Sequence, residues 1–234
     1  MRALAIVHQA DAGPGIFGRE IRAAGWGLDS WLPSTQPEPP PADDFDAVLT
    51  FGGAMHPDRE DVHPWLATEK ALLARLLDRG TPLLAVCLGS ELLAEAAGAR
   101  PRLAREPEIG WAEVEVADEA ATDPVIGPLR PRFTAFQWHS YEVPLPPGAV
   151  ALAQSLVCLQ AYRIGECAWG IQPHAEVRLV DAERWIDDYR SDPDAVRIGL
   201  DPERLRGETH ERIGAWNQLG FELCGRFLDT ARSR

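Results

Sequence analysis

The stretch Leu83-Leu84-Ala85-Val86-Cys87-Leu88-Gly89-Ser90-Glu91-Leu92-Leu93-Ala94 constrains this chain more than any other. An apolar run ends at a cysteine, and a helical spacing begins at once through Leu88, Leu92, Leu93, Ala96 and Ala97, with Gly98 as its stop. Pro82 has no N–H for a central ladder, so the strand starts at about Leu83. Its lack of alternation indicates a parallel strand buried on both faces. A cysteine caught between such a strand and a helix sits in a tight turn, its sulfur at the carboxyl edge of the sheet. Ala85 and Gly89 are small enough to let strand and helix approach closely. The helix start aims free N–H groups and a positive dipole end at the sulfur, which favours thiolate. Taken alone, Cys87 reads equally well as a buried core cysteine.

The rest of the first hundred residues repeats the strand–helix alternation. Leu4 to Val7, Gly27 to Leu32 and Asp46 to Phe51 read as strands, the last ending in Gly52-Gly53. Ile16 to Trp26 and Pro64 to Leu77 read as helices, the second closed by Gly80. Pro33 to Pro41 is a stiff surface connection, too short to separate domains. This order predicts a parallel sheet with helices on both faces and a site at the carboxyl ends of its strands. From Trp111 the pattern changes to short strands: Trp111 to Val116, Phe133 to His139, Val150 to Ala153, Val157 to Ile164 and Cys167 to Ile171. Val177 to Tyr189 reads as a helix with Val180, Trp185 and Ile186 inward. Glu203 to Ala231 reads as a long helix with a break near Gly214. A single domain over 1–234 is expected, with the chemistry-bearing stretches within 1–190 and 191–234 as a helical extension.

Composition narrows the class. A formal net charge of -13 over 234 residues argues against nucleic acid or an anionic membrane as partner. Cys87, Cys158, Cys167 and Cys224 form no CxxC pair, so neither a metal site nor a disulfide scaffold is indicated, and the last three read as core. The apolar run at the amino terminus is too short for a signal peptide, and no stretch reaches transmembrane length. A reducing cytoplasm is the expected setting.

A cysteine nucleophile needs a base and a group to orient that base. His174 lies in Trp169-Gly170-Ile171-Gln172-Pro173-His174-Ala175-Glu176, just past a buried strand and just before a helix. Glu176, two residues on in an extended segment, faces the same way and can hold the far imidazole N–H. A surface histidine and a solvated helix-start carboxylate are the plainer alternatives. Two donors for an oxyanion are available from the Leu88 amide and the Gly52-Gly53 turn. His8 ends a strand near the same edge, in a place to line the site, but reads more simply as a hydrogen-bonded structural histidine. His56 and His63 read as solvated.

Phe51-Gly52-Gly53, Cys87-Leu88-Gly89-Ser90-Glu91-Leu92-Leu93-Ala94 and Gly170-Ile171-Gln172-Pro173-His174-Ala175-Glu176 resemble, in order and spacing, the three signatures of the class I (triad) glutamine amidotransferases. Trp138-His139-Ser140 resembles a fourth. The likeness is to free-standing members similar to the amidotransferase part of GMP synthase. It implies a three-layer, flavodoxin-like α/β sandwich with a mostly parallel central sheet and extra strands in the second half. It also implies roles: Cys87 as nucleophile, His174 as base and Glu176 as its orienter, with Gly53 and Leu88 as oxyanion donors. Gly52, Glu91, Trp138, His139 and Ser140 would line the substrate. No cofactor is required. Three positions depart from the family: Glu91 stands for its glutamine, Pro173 for a phenylalanine and Ala175 for a proline. A carboxylate at Glu91 accepts hydrogen bonds but does not donate, and its charge raises a nearby thiol pKa. The implied reaction is glutamine hydrolysis through a thioester, with ammonia passed to an acceptor or a separate synthetase protein. The alternatives are a γ-glutamyl hydrolase acting alone and a binding module of the same fold.

Overall fold

The computed structural model describes residues 1–234. In chain order the strands are β1 (Arg2–Ile6), β2 (Gly27–Trp31), β3 (Ala47–Thr50), β4 (Leu83–Val86), β5 (Arg102–Val116), β6 (Arg132–Glu142), β7 (Val150–Gln154), β8 (Leu159–Ile164) and β9 (Ala168–Ile171). The helices are α1 (Gly15–Ala23), α2 (Trp65–Asp78), α3 (Leu88–Ala96), α4 (Leu179–Asp187), α5 (Pro193–Arg197) and α6 (Pro202–Arg232). One sheet holds all nine strands in the order β2-β1-β3-β4-β9-β8-β7-β5-β6. The five strands from β2 to β9 are parallel. The second-half strands extend that same sheet by antiparallel ladders.

The apolar strands are continuous because both faces are covered. Leu84 and Val86 of β4 join the core under α1 and α6, while Leu83 and Ala85 join the core under α2 and α3. Period-2 alternation thus feeds two helical layers from one strand. The three-layer α/β architecture expected from the sequence is the one observed. Because β3, β4 and β9 lie side by side, the loops after their carboxyl ends converge, and these carry Gly52-Gly53, Cys87 and His174.

Three expectations about elements need correction. Residues 102–110, outside the predicted strands, begin β5, whose exposed charges Arg102, Arg105 and Glu106 mask the pattern. Val180 points to solvent, because α4 starts at Leu179 and turns Ala182 and Ile186 inward instead. Helix α6 runs unbroken past Gly214, which faces open space. Its stripe from Leu205 through Ile213, Trp216, Leu223 and Phe227 is buried. Each such large apolar side chain is worth about 1.5–3 kcal/mol on burial, against roughly 1 kcal/mol for a mid-helix glycine.

Candidate active site

The turn after β4 carries the only non-glycine residue with positive φ: Cys87, at φ 51° and ψ -115°. This conformation is costly for a side-chain-bearing residue and persists only where its surroundings fix it. Here they do. The Cys87 N–H is bonded to the Ile171 carbonyl of β9 at 2.9 Å, and the Gly89 N–H to the Phe51 carbonyl at 3.0 Å. A Cβ at Gly89 would lie 2.6 Å from the Thr50 carbonyl oxygen, so only glycine lets α3 start this close to β3.

His174 follows β9. Its Nδ1–H donates to Glu176 Oε1 at 2.8 Å, which leaves Nε2 for the Cys87 side. Both side chains are buried, and the Trp185 ring stands edge-on to the imidazole at 4.7 Å. Burial alone would disfavour an imidazolium, but Glu176 and Cys87 outweigh it and push the His174 pKa up. Burial pushes the Cys87 thiol up; His174 pulls it down, while Glu91 and Glu176 add to the rise. The expected lowering of the thiol pKa is thus corrected. With Cys87 only 5% exposed, desolvation is the largest influence on the thiol.

A cavity of about 350 Å³ opens over the sulfur. Cys87, His174, Gly53, Leu88, Glu91 and the Trp138-His139-Ser140 segment all reach its wall. Two expected site residues stand behind that wall. Glu176 holds His174 from the rear. Gly52 passes so close that an added Cβ would lie 2.7 Å from His174 Cε1. Glu91 accepts from Gln172 Nε2 at 3.0 Å, and burial pushes its pKa up to about 7 against that bond. Trp138 Nε1–H donates to Asp192 at 2.8 Å. His139 Nδ1–H donates to the Tyr141 carbonyl, and Nε2 lies 3.3 Å from Glu108, so much of this ring is tied into the wall.

Several supports have no counterpart in the sequence reading. Trp216 Nε1–H donates to the His174 carbonyl and Asn217 Nδ2–H to that of Val177, both at 2.8 Å. A Cβ at Gly220 would lie 2.2 Å from the Ala175 carbonyl oxygen. The extension α6 is therefore the brace of the His174 loop. From the other side the Ile16 N–H bonds the Glu176 carbonyl at 2.9 Å. No local pattern signals these contacts, since each joins residues far apart in the chain. Cys158, read as core, is only half-buried and lies against Glu108.

The model of the class-I glutamine amidotransferase family matches residues 19–186. The glutamine amidotransferase-like protein YfeJ of Salmonella typhimurium is 29% identical over 98% of this chain and 96% of its own length. A glutamine-hydrolyzing GMP synthase subunit of Haloarcula marismortui is 32% identical over 59% of this chain and 68% of its own. A glutamine amidotransferase of Thermotoga maritima superposes with a TM-score of 0.87 at 28% identity, covering 98% of both chains.

Proposed function

The chain belongs to the class-I glutamine amidotransferase family, and on that premise we propose that it cleaves a γ-glutamyl amide through a thioester on Cys87. The observation that carries this reading is the Glu176-bound His174 facing Cys87 across the strand ends. Glu176 makes His174 more basic, as a proton acceptor for the thiol must be. Cys87 Sγ gives its proton to His174 and bonds to the γ-carbonyl carbon. The resulting oxyanion takes hydrogen bonds from the Gly53 and Leu88 amides. His174 then protonates the leaving nitrogen, ammonia or an amine departs, and water hydrolyses the thioester.

The relatives named as GMP synthase subunits support glutamine as substrate and a separate synthetase as recipient of the ammonia. A second reading rests on the cavity itself. Besides Glu91 it presents Asp11, Asp188, Asp192 and Asp194 against one arginine, Arg184. That wall favours a γ-glutamyl amide whose leaving group is a cationic amine. Ammonia release from glutamine and amine release from γ-glutamyl amines, each with Cys87→Ala as control, tests both. Turnover that survives in Cys87→Ala refutes the thioester. Turnover of γ-glutamyl amines in preference to glutamine selects the second reading.

A further inference from the structure

Behind the cavity wall lies a buried polar group that the reaction does not touch. His8 follows β1, and its side chain is fully enclosed, stacked at 5.2 Å on the Trp65 ring. Its Nε2 lies 2.7 Å from Glu69 Oε2, and its Nδ1 lies 3.1 Å from the Gly52 carbonyl oxygen. Carboxylate and carbonyl oxygens only accept, so both contacts call for a ring N–H and hence a doubly protonated imidazole. Thr50 Oγ–H donates to the other Glu69 oxygen at 2.7 Å and fixes that carboxylate in turn.

The Gly52 carbonyl belongs to the same peptide plane as the Gly53 N–H. That peptide is trans, so the two groups point in opposite directions. With the carbonyl held toward His8, the N–H points away from His8, and Gly53 lines the cavity together with Cys87 and Leu88. The Gly53 N–H has no hydrogen-bond partner in the protein. Side chains are opposed at both positions: a Cβ at Gly52 would clash with His174 at 2.7 Å, and one at Gly53 would crowd His8 Cβ at 3.0 Å. A peptide between two glycines turns over easily. The reversed peptide would aim a carbonyl oxygen at a developing oxyanion.

We infer that His8, locked by Glu69 and Thr50, is a positioning residue that holds the Gly52–Gly53 peptide with its N–H toward Cys87 as an oxyanion donor. The role of that donor rests on the thioester reading above; the hold on the peptide does not.

Two measurements test the hold without turnover. Ring 15N NMR of the wild-type protein at neutral pH, with the His8 signals assigned by their loss in His8→Asn, is expected to show both nitrogens protonated. An unprotonated Nδ1 would overturn the inference, since its lone pair would repel the Gly52 oxygen. A crystal structure of His8→Ala is expected to show the Gly52–Gly53 peptide reversed or in two orientations; an unchanged peptide overturns it equally. Kinetics then test the consequence on a substrate whose turnover depends on Cys87. His8→Ala should lower kcat by about 10²-fold, the effect of losing one oxyanion donor. KM and the alkylation rate of Cys87 should stay within threefold. His8→Asn, whose amide N–H reaches the same carbonyl, should restore most of the loss. Equal losses in the two variants, or a kcat within threefold of wild type in both, would refute the donor role. If the wild-type protein turns over nothing, the proposed reaction fails while the NMR and crystallographic outcomes still decide the hold on the peptide.

Discussion

Two loops bring Cys87 and His174, the proposed nucleophile and base, to the same sheet edge, and they are held in different ways. The Cys87 turn is fixed by its immediate surroundings: adjacent strands take its amides, and Gly89 fits directly against Thr50. The His174 loop also has amides taken by strands, Gln172 N–H by the Gln160 carbonyl and His174 N–H by that of Phe136, but it draws further support from outside the sheet. It is braced by Trp216, Asn217 and Gly220 of α6, and by Ile16 of α1. A residue on a strained turn is secured where the chain makes the turn. A residue on an irregular segment past a strand end takes the rest of its support from remote elements.

Substitutions at the two loops test that contrast. The largest effect is expected for Cys87→Ala, which should lower amide cleavage by about 10⁴-fold or more. Stopped assays on a folded variant that retains above one per cent of wild-type rate would remove Cys87 from its role. Next comes Gly220→Ala, far along the chain from the loop it disturbs. Its methyl would press on the Ala175 carbonyl oxygen from 2.2 Å, so kcat should fall by roughly 10²-fold as His174 shifts. Gly214→Ala, facing open space on the same helix, should instead raise stability by about 0.5–1 kcal/mol in urea unfolding and leave kcat alone. If both glycine variants behave alike, the brace is not specific.

A smaller effect is expected for Trp216→Phe, which keeps an aromatic ring and removes the N–H bonded to the His174 carbonyl. It should cost about 1 kcal/mol in stability and lower kcat about tenfold. Hydrogen exchange should quicken at His174 to Val177 and stay unchanged at Ala85 to Leu88. Quickening at both loops would mean that they are one cooperative unit and are not held differently.

The smallest change in rate belongs to Glu91→Gln, which should raise kcat/KM on glutamine a few-fold at pH 8 and little at pH 6. The sign follows from burial. The folded-state pKa of Glu91 is raised from 4.5 to about 7, so below 7 it is protonated and offers an O–H donor, as glutamine offers an N–H. Above 7 its charge also lifts the Cys87 thiol. For stability, a raised carboxyl pKa contributes fully below 4.5, and its contribution is lost as pH rises through about 7. Glu91→Gln should therefore gain on wild type across that window, by at most roughly 3 kcal/mol in denaturant titrations at pH 8. A variant-to-wild-type ratio independent of pH would show that Glu91 does not titrate there.

The elbow, the parallel strands and the residues that gather at their ends were legible in the sequence. They rest on short-range patterns: an unbroken apolar strand, a cysteine, a helical spacing, a double glycine, and a histidine two residues before a glutamate. The start of β5 at Arg102 was not legible, because its charged residues break the alternation of an edge-exposed strand. Nor was the inward phase of α4, which one or two residues at its start decide. His8 was legible as a hydrogen-bonded structural histidine, but its partner Glu69, a carboxylate within the apolar stripe of α2, was not.

By itself, then, the sequence determined which side chains reach the strand ends, because β4 and β9 are written in local hydrophobicity and turn chemistry. Only the tertiary structure decided how they are held and charged. Burial over the sulfur reversed the expected shift of the Cys87 thiol, and α6, without a recognisable motif, became the support of His174. Desolvation and bracing depend on what lies around a residue in space, and neighbours in the chain carry little record of it.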